Sequence, residues 1–242
     1  MTFVEVKNLS KAYQTPTRAL TVLDNVNMNI ERGTFVALVG PSGSGKTTFL
    51  NMLTGIDTPT DGEVIIDGLN LTRAPQKEVD RWRAKHIGIV FQFFQLLPTV
   101  NVVRNVMAPM DLAKVHPVRE RKERAMHLLE RLGIEDQASK LPAMLSGGQQ
   151  QRVAVARALA NDPAFIIGDE LTGNLDRENA ANVFAMLSEY SAEMGSTVLV
   201  VSYDREQLRQ VPQLLELREG GIHPVEDREP FDALQVEAPV GV

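Results

Sequence analysis

Gly40-Pro41-Ser42-Gly43-Ser44-Gly45-Lys46-Thr47-Thr48 is the stretch from which the fold of this chain can be read, and it fits the pattern G-x-x-x-x-G-K-[ST]. Before it, Thr34-Phe35-Val36-Ala37-Leu38-Val39 is a short apolar run with β-branched members, which predicts a buried strand. After it, Lys46 to Leu53 predicts a helix. A glycine-rich turn between strand and helix can wrap its backbone N–H groups around phosphates, because Gly43 and Gly45 permit torsions and close approaches that a Cβ would forbid. The start of the helix adds unpaired N–H donors and the positive end of its dipole. In that geometry Lys46 reaches the β- and γ-phosphates and the Thr47 hydroxyl ligates Mg²⁺. The strand-loop-helix context separates this reading from a surface turn that is merely rich in Gly and Ser.

Working outward, 242 residues that are 43% hydrophobic can bury one large core, or a core with a subdomain. Cysteine is absent, which removes disulfides and thiolate metal sites and fits a reducing compartment. The chain opens into Phe3-Val4-Glu5-Val6 with no basic and apolar leader, so no signal peptide is expected. No apolar run approaches the roughly 18–20 residues that span a bilayer. The net charge of −6 argues against nucleic acid as the main partner, since a phosphate backbone would be repelled on average. The expectation is a soluble, cytoplasmic chain.

Upstream of the loop, Phe3–Lys7 and Val22–Ile30 alternate like strands, the second at Val22, Asp24, Val26, Met28 and Ile30. Tyr13 lies between them in what reads as a polar turn ending at Pro16, and is either a packing residue or a ring for stacking on a purine. Downstream, Pro59-Thr60-Asp61-Gly62 is a turn, Glu63–Asp67 a strand, Gln76–Ala84 a charged helix and Ile87–Phe91 a buried strand ending at Gln92. A polar residue there lies on the edge where α/β sheets bind ligands, or simply faces water. From about Leu96 to Asn161 strand signals give way to helices at Val100–Met107, Pro117–Leu132 and Gln149–Leu159, with Pro109, Gly133 and Pro142 as breakers. Ala125, Met126, Leu128, Leu129 and Leu132 form the apolar face of the second of these.

The helical region ends in Leu145-Ser146-Gly147-Gly148-Gln149-Gln150-Gln151-Arg152. Ser146 reads as an N-cap, and equally as part of a second phosphate cradle made of a hydroxyl, free N–H groups and a helix dipole. Capping geometry is also anion-binding geometry, so the two readings are compatible. Because the first loop already has its own Lys and helix, a second cradle points to use in trans. Beyond Pro163, the strand Ala164–Gly168 delivers Asp169-Glu170 to the carboxyl edge of the sheet. Adjacent carboxylates there need a cation or a water relay. Asp169 suits the Mg²⁺ shell through water, and Glu170 suits general-base work on a γ-phosphate. Thr172–Asp176 makes a turn, with Asp176 capping a helix that runs through Met194. Strands follow at Thr197–Val201, Gln213–Leu217 and Ile222–Val225, and the acidic segment from Glu226 reads as a tail.

Taken together, Gly40–Thr48, Leu145–Gln149 and Asp169-Glu170 resemble the nucleotide-binding subunits of ABC transporters, over about Phe3 to Val225. The LSGGQ run carries most of the specificity, since phosphate loops alone occur in many kinases and GTPases. A small-molecule kinase would leave that run and the helical insertion without a job. Asn51–Asp57, Ile87–Pro98 and Thr172–Asp176 are similar to ATPases serving lipoprotein release, macrolide export and related permeases. The resemblance implies an α/β fold: a P-loop NTPase core with a mixed sheet and an antiparallel β flank, plus an inserted all-helical signature subdomain. It divides the chain into a core at 1–95 and 162–225, a helical subdomain at 96–161 and a tail at 226–242. It implies ATP and Mg²⁺ as ligands. Tyr13 would stack on adenine, and Gly40, Pro41, Ser42, Gly43, Ser44, Gly45, Lys46, Thr47 and Thr48 would hold the phosphates. Thr47, Gln92 and Asp169 would serve the metal; Ser146, Gly147, Gly148 and Gln149 would face the γ-phosphate of a second copy, with Asp176 at the seam. Implied partners are a second ATP-binding subunit, as a homodimer, and an integral-membrane permease on whose cytoplasmic face the chain sits peripherally. Phe93, Phe94, Leu96 and Leu97 would form either the permease's docking groove or subdomain core.

Two positions depart from the family's pattern. A switch histidine belongs after the Thr197–Val201 strand, where this chain has Ser202-Tyr203-Asp204. Tyrosine stays protonated up to about pH 10, whereas imidazole offers both a donor and an acceptor near neutrality. Loss of one transition-state contact costs roughly 10²–10³ in rate. The expectation is therefore slow turnover with intact ATP binding, and in the extreme a nucleotide-gated regulatory module rather than a motor. Leu171 stands where the family usually has Pro, which loosens the placement of Glu170.

Overall fold

Strand β1 (Thr2–Gln14) and strand β2 (Ala19–Glu31) pair antiparallel along most of their length. This computed structural model describes residues 1–16, 18–170, 177–202, 208–209 and 211–225. Sequence alternation marks only Phe3–Lys7 as strand in this region, but β1 continues to Gln14. The reason is a bulge: Asn8 and Asn25 take left-handed φ of 48° and 51°, and the register slips on either side of Leu9. Short polar Asn side chains tolerate that conformation, so the ladder resumes beyond it. The slip also flips the buried face of β2. Val26, Met28 and Ile30 point into the core as their alternation predicts, but N-terminal to the bulge it is Leu23, not Val22 or Asp24, that is buried. Tyr13 consequently lies on strand β1, opposite Leu20, and not in the turn expected from Pro16.

Strand β3 (Phe35–Val39) is buried at every position and leads through the glycine loop into helix α1 (Lys46–Thr54). Strands β4 (Asp61–Ile66) and β5 (Leu69–Asn70) complete an antiparallel sheet in the order β2-β1-β4-β5. Its inward face, with Val4, Val6, Leu9, Ile30, Val64 and Ile66, forms one core.

Helix α2 (Gln76–His86) precedes strand β6 (Ile87–Val90). Helices α3 (Val102–Ala113), α4 (Val118–Arg131) and α5 (Gly147–Leu159) then pack on one another. Pro109, expected to break α3, lies inside it. Proline removes the N–H that would bond the Asn105 carbonyl one turn back, yet the helix runs on to Ala113, and the Pro109 carbonyl accepts from the buried Asn161 amide at 3.2 Å. Ala125, Leu128, Leu129 and Leu132 form the buried side of α4, with Met126 half-buried. Strand β7 (Phe165–Gly168) runs parallel to β6, helix α6 (Arg177–Met194) follows, and strand β8 (Thr197–Val201) lies beside β7. Gly88 on β6 has a physical reason: a Cβ there would sit 2.4 Å from the Ala158 carbonyl oxygen of α5. A polar knot also holds this region together. Asp162 accepts from Arg124 of α4 and, at 3.0 Å, from the buried Tyr190 hydroxyl of α6.

Strand β9 (Gln213–Arg218) is parallel to β3 and antiparallel to β10 (Gly221–Pro224), so parallel and antiparallel pairings coexist. The chain forms two compact units, Met1–Val79 with the described residues from Val200 on, and Asp80–Leu199. Among the described residues no helix is long and apolar enough to cross a membrane.

Candidate functional site

The phosphate-binding candidates lie in the first unit. Gly40 leaves β3 with φ of 150°, and a Cβ there would meet the Leu217 carbonyl oxygen at 2.3 Å. Only glycine fits without moving β9. Pro41 and Ser44 close a turn through the Ser44 N–H and the Pro41 carbonyl at 3.2 Å. Gly45, left-handed at φ of 103°, is the N-cap of α1 and offers no capping side chain, so the first-turn amides are not claimed by a side-chain cap. Lys46 is 6% exposed, and its ammonium folds back to donate to the carbonyls of Gly40 at 2.9 Å and Pro41 at 2.8 Å.

The loop fits a polyphosphate on two further observations. Among the described residues the buried Ser44 hydroxyl oxygen has no hydrogen-bond partner, and the Cβ side of Gly43 has no neighbour within 4 Å. Pro41, Ser42 and Thr47 are exposed, and Thr48 is half-buried.

Tyr13, in the same unit, is 38% exposed and its ring is not free to swing. Its hydroxyl donates to Asp57 Oδ2 at 3.0 Å, and the Lys11 ammonium sits 4.9 Å above the ring while donating to Asp57 Oδ1 at 2.8 Å. Partial burial pushes the Asp57 carboxyl up, but the Lys11 ammonium, the Thr58 N–H and the Tyr13 hydroxyl outweigh it and hold its pKa below the ordinary value. Sequence reading singled out neither Lys11 nor Asp57.

The second unit holds the carboxylate candidates. Pairing of β6 with β7 ends at Val90 opposite Gly168, and the Asp169 N–H still donates to the Val90 carbonyl at 3.0 Å. That register places Gln92 beside Asp169-Glu170, and the Gln92 side-chain amide donates to the Glu170 carboxylate. Glu170 has φ of 51°, a left-handed conformation uncommon for a residue with a Cβ. Asp169, Glu170 and Gln92 are all half-buried.

Ser146 caps α5 in a full capping box: its hydroxyl accepts from Gln149 N–H at 3.3 Å, and the Gln149 side chain accepts from Ser146 N–H at 3.0 Å. Ser146 and Gly147 are exposed, with Gly148 and Gln149 half-buried, so the first turn of α5 is open to solvent. Asp176, Tyr203 and Leu171 fall outside the described residues.

None of Phe93, Phe94, Leu96 and Leu97 is buried, and Phe93 is 77% exposed, so they do not form subdomain core. Leu97 instead lines a groove of about 330 Å³ with Ile87, Phe91, Leu112, Arg83 and Arg157. Two residues that shape this region carry no sequence signal. Asn105, fully buried, holds Leu97 through its backbone N–H at 2.7 Å and its carbonyl at 3.1 Å. Arg157 reaches from α5 to the carbonyls of Phe94 and Gln95.

A family profile described as ABC transporter matches residues 23–173. The lipoprotein-releasing system ATP-binding protein LolD 1 of Chlorobium chlorochromatii is 42% identical over 84% of this chain and 82% of its own length. LolD of Idiomarina loihiensis is 39% identical over 90% and 95%. A solved dimeric structure of the ATP-binding cassette MJ0796 in a post-hydrolysis state, bound to ADP and Pi, superposes with a TM-score of 0.86 at 37% identity, covering 93% of this chain and 99% of that one.

Proposed function

The chain belongs to the ABC transporter family as an ATP-binding, ATP-hydrolysing subunit, and on that premise we propose that it drives a separate membrane permease of the lipoprotein-release or export type. The proposal includes extraction or mechanical transmission as its output, not import. The observation that carries the catalytic reading is the hydrogen bond from Gln92 to Glu170, two residues 78 apart in sequence, at the ends of neighbouring parallel strands.

In this reading ATP lies with its phosphates on Gly40–Thr48, Lys46 turning from the Gly40 and Pro41 carbonyls to the β- and γ-phosphates, and its adenine on Tyr13. Glu170 takes a proton from a water as the water oxygen bonds to the γ-phosphorus. The bond from that phosphorus to the bridging oxygen breaks and its electron pair leaves with ADP. Gln92 orients the Glu170 carboxylate and the water. The Thr47 hydroxyl, the Gln92 amide oxygen and, through water, the Asp169 carboxylate are hard oxygen donors that suit Mg²⁺, which neutralises phosphoryl charge when bound. Ser146, Gly147, Gly148 and Gln149, exposed at the start of α5, complete the γ-phosphate site of a second copy, with Asp176 at the seam. Two copies bound head to tail are thus closed by ATP and reopened by hydrolysis. Segment 96–161 acts as the helical signature subdomain. The groove beside Leu97 receives a helix of the permease, which holds the chain at the cytoplasmic face of the membrane.

Phosphate release from the chain purified with its permease tests this reading. The wild type is expected to turn over and Glu170→Gln to bind ATP without turnover. Release no faster than that of the variant refutes the hydrolytic role and leaves the nucleotide-gated module. Tyr203→His is expected to raise turnover. An unchanged rate overturns the account of that position.

A further inference from the structure

The turn that carries Gln92 is built in an unfavourable backbone conformation. Phe94 and Gln95, neither of them glycine, are consecutively left-handed with φ of 39° and 48°. Side-chain sterics disfavour one such residue and penalise two in a row, so something must hold them. The turn's own bonds are local: Phe94 N–H to the Phe91 carbonyl at 3.2 Å and Gln95 N–H to the Phe93 carbonyl. A left-handed pair aims its two carbonyls to the same side, and there the Arg157 guanidinium donates one arm to Phe94 O and the other to Gln95 O, each at 2.6 Å.

Arg157 is itself unusual. Burial lowers its pKa from the ordinary value, which marks a desolvated cation, yet among the described residues it has no carboxylate within ion-pair distance. Its partners are those two carbonyls. A planar fork with fixed donor directions can hold two adjacent carbonyls in a way a lysine point charge cannot. Arg157 also stands on α5, the helix that Ser146 caps, roughly 16 Å along the axis from that serine at 1.5 Å per residue.

We propose that Arg157 is a positioning residue for hydrolysis: it clasps the Phe91–Gln95 turn in the conformation from which Gln92 meets Glu170, and so ties the placement of Gln92 to the helix that presents Ser146. The proposal rests on the roles given to Gln92 and Glu170 above. Loss of the clasp lets the left-handed pair relax, and Gln92 leaves Glu170 while the phosphate loop is untouched.

The test uses the full chain with Arg157→Lys, which keeps the charge and loses the fork, and Arg157→Met, which keeps only the stem. In the nucleotide-free chain, hydrogen exchange at the amides of residues 93–97 is expected to accelerate about tenfold or more in both variants, with protection of β7 unchanged. In complex with the permease, kcat is expected to fall about 10- to 100-fold with little change in KM for ATP. In a Gln92→Ala background Arg157→Lys should cost less than about a further twofold, because both changes remove one arrangement. Unchanged exchange at 93–97, or an undiminished loss in the Gln92→Ala background, overturns the clasp. If Gln92→Ala alone leaves hydrolysis at the wild-type rate, the catalytic reading fails instead, and the exchange measurement still judges the clasp. Arg157→Lys keeps the test open if Arg157→Met does not fold.

Discussion

Replacement of Asn105 by Ala should unfasten the segment that follows the Gln92 turn. Asn105 is fully buried, and its amide oxygen accepts from Leu97 N–H at 2.7 Å. Its amide nitrogen faces the carbonyls of Leu97 at 3.1 Å, Val100 at 3.1 Å and Asn101 at 3.2 Å. Two N–H bonds can serve those three acceptors, and the Asn101 carbonyl keeps the Asn105 backbone N–H at 2.9 Å in any case. Three effective hydrogen bonds at roughly 1 kcal/mol each give a loss of about 3 kcal/mol. Leu97 is 47% exposed, so water recovers part of it. A net loss of about 2 kcal/mol follows. Trp82, the only tryptophan, stands in the same unit and reports urea unfolding by its fluorescence. With a slope of about 2 kcal/mol per molar the midpoint should fall by about 1 M. Asn105→Asp keeps the acceptor but sets a buried carboxylate against the same carbonyls, so it should be worse than Ala at pH 7 and milder near pH 4, where the carboxyl begins to take up its proton. A loss below about 0.5 kcal/mol for Ala, or an Asp variant as stable as the wild type at pH 7, refutes the assignment of Asn105 as the anchor of this loop.

Tyr190 is held protonated, first by burial and then by the Asp162 carboxylate it donates to, so its pKa lies above the ordinary 10. The folded chain then binds a proton that the unfolded chain releases, and stability falls by up to about 1.4 kcal/mol per unit above roughly pH 10. Relative to Tyr190→Phe, the wild type should lose urea resistance as pH rises from 9 to 11, and a constant difference contradicts the assignment. Asp57 has the opposite sign: its lowered pKa contributes stability above the unfolded value near 3.9, lost as pH falls through the folded pKa. The stability gap between wild type and Asp57→Asn should therefore close in acid, and a gap that persists at pH 2 rules this out. Ser146→Ala removes an N-cap and should cost about 1 kcal/mol in urea, while ATP binding to the isolated chain is retained. If phosphate release by the permease complex survives that change intact, Ser146 is a cap and nothing more.

Several features were open to the sequence alone because each is set within a few residues. The Gly40–Thr48 loop is bounded by a buried strand and a helix that its own apolar spacing specifies, and its glycines and lysine occur in a fixed order. The Ser146 capping box is a contact between positions three apart, and Asp169-Glu170 follow directly from the end of β7. Local chemistry also misled where a long-range ladder outweighed it, as at Tyr13, drawn onto β1 beyond the bulge, and at Pro109, accommodated inside α3.

What only the tertiary structure decided is which distant groups meet. Gln92 reaches Glu170 because the β6–β7 register brings those strand ends together, and a register is fixed by pairing between strands, not by either strand's composition. Asp57 and Lys11 reveal themselves only once the β1 bulge has turned Tyr13 toward them. Arg157 and Asn105 are further removed still, because their partners are backbone carbonyls and amides that every residue carries. The direction of a carbonyl depends on torsion angles, and the left-handed angles at Phe94 and Gln95, whose carbonyls Arg157 of α5 meets, are written in no residue type.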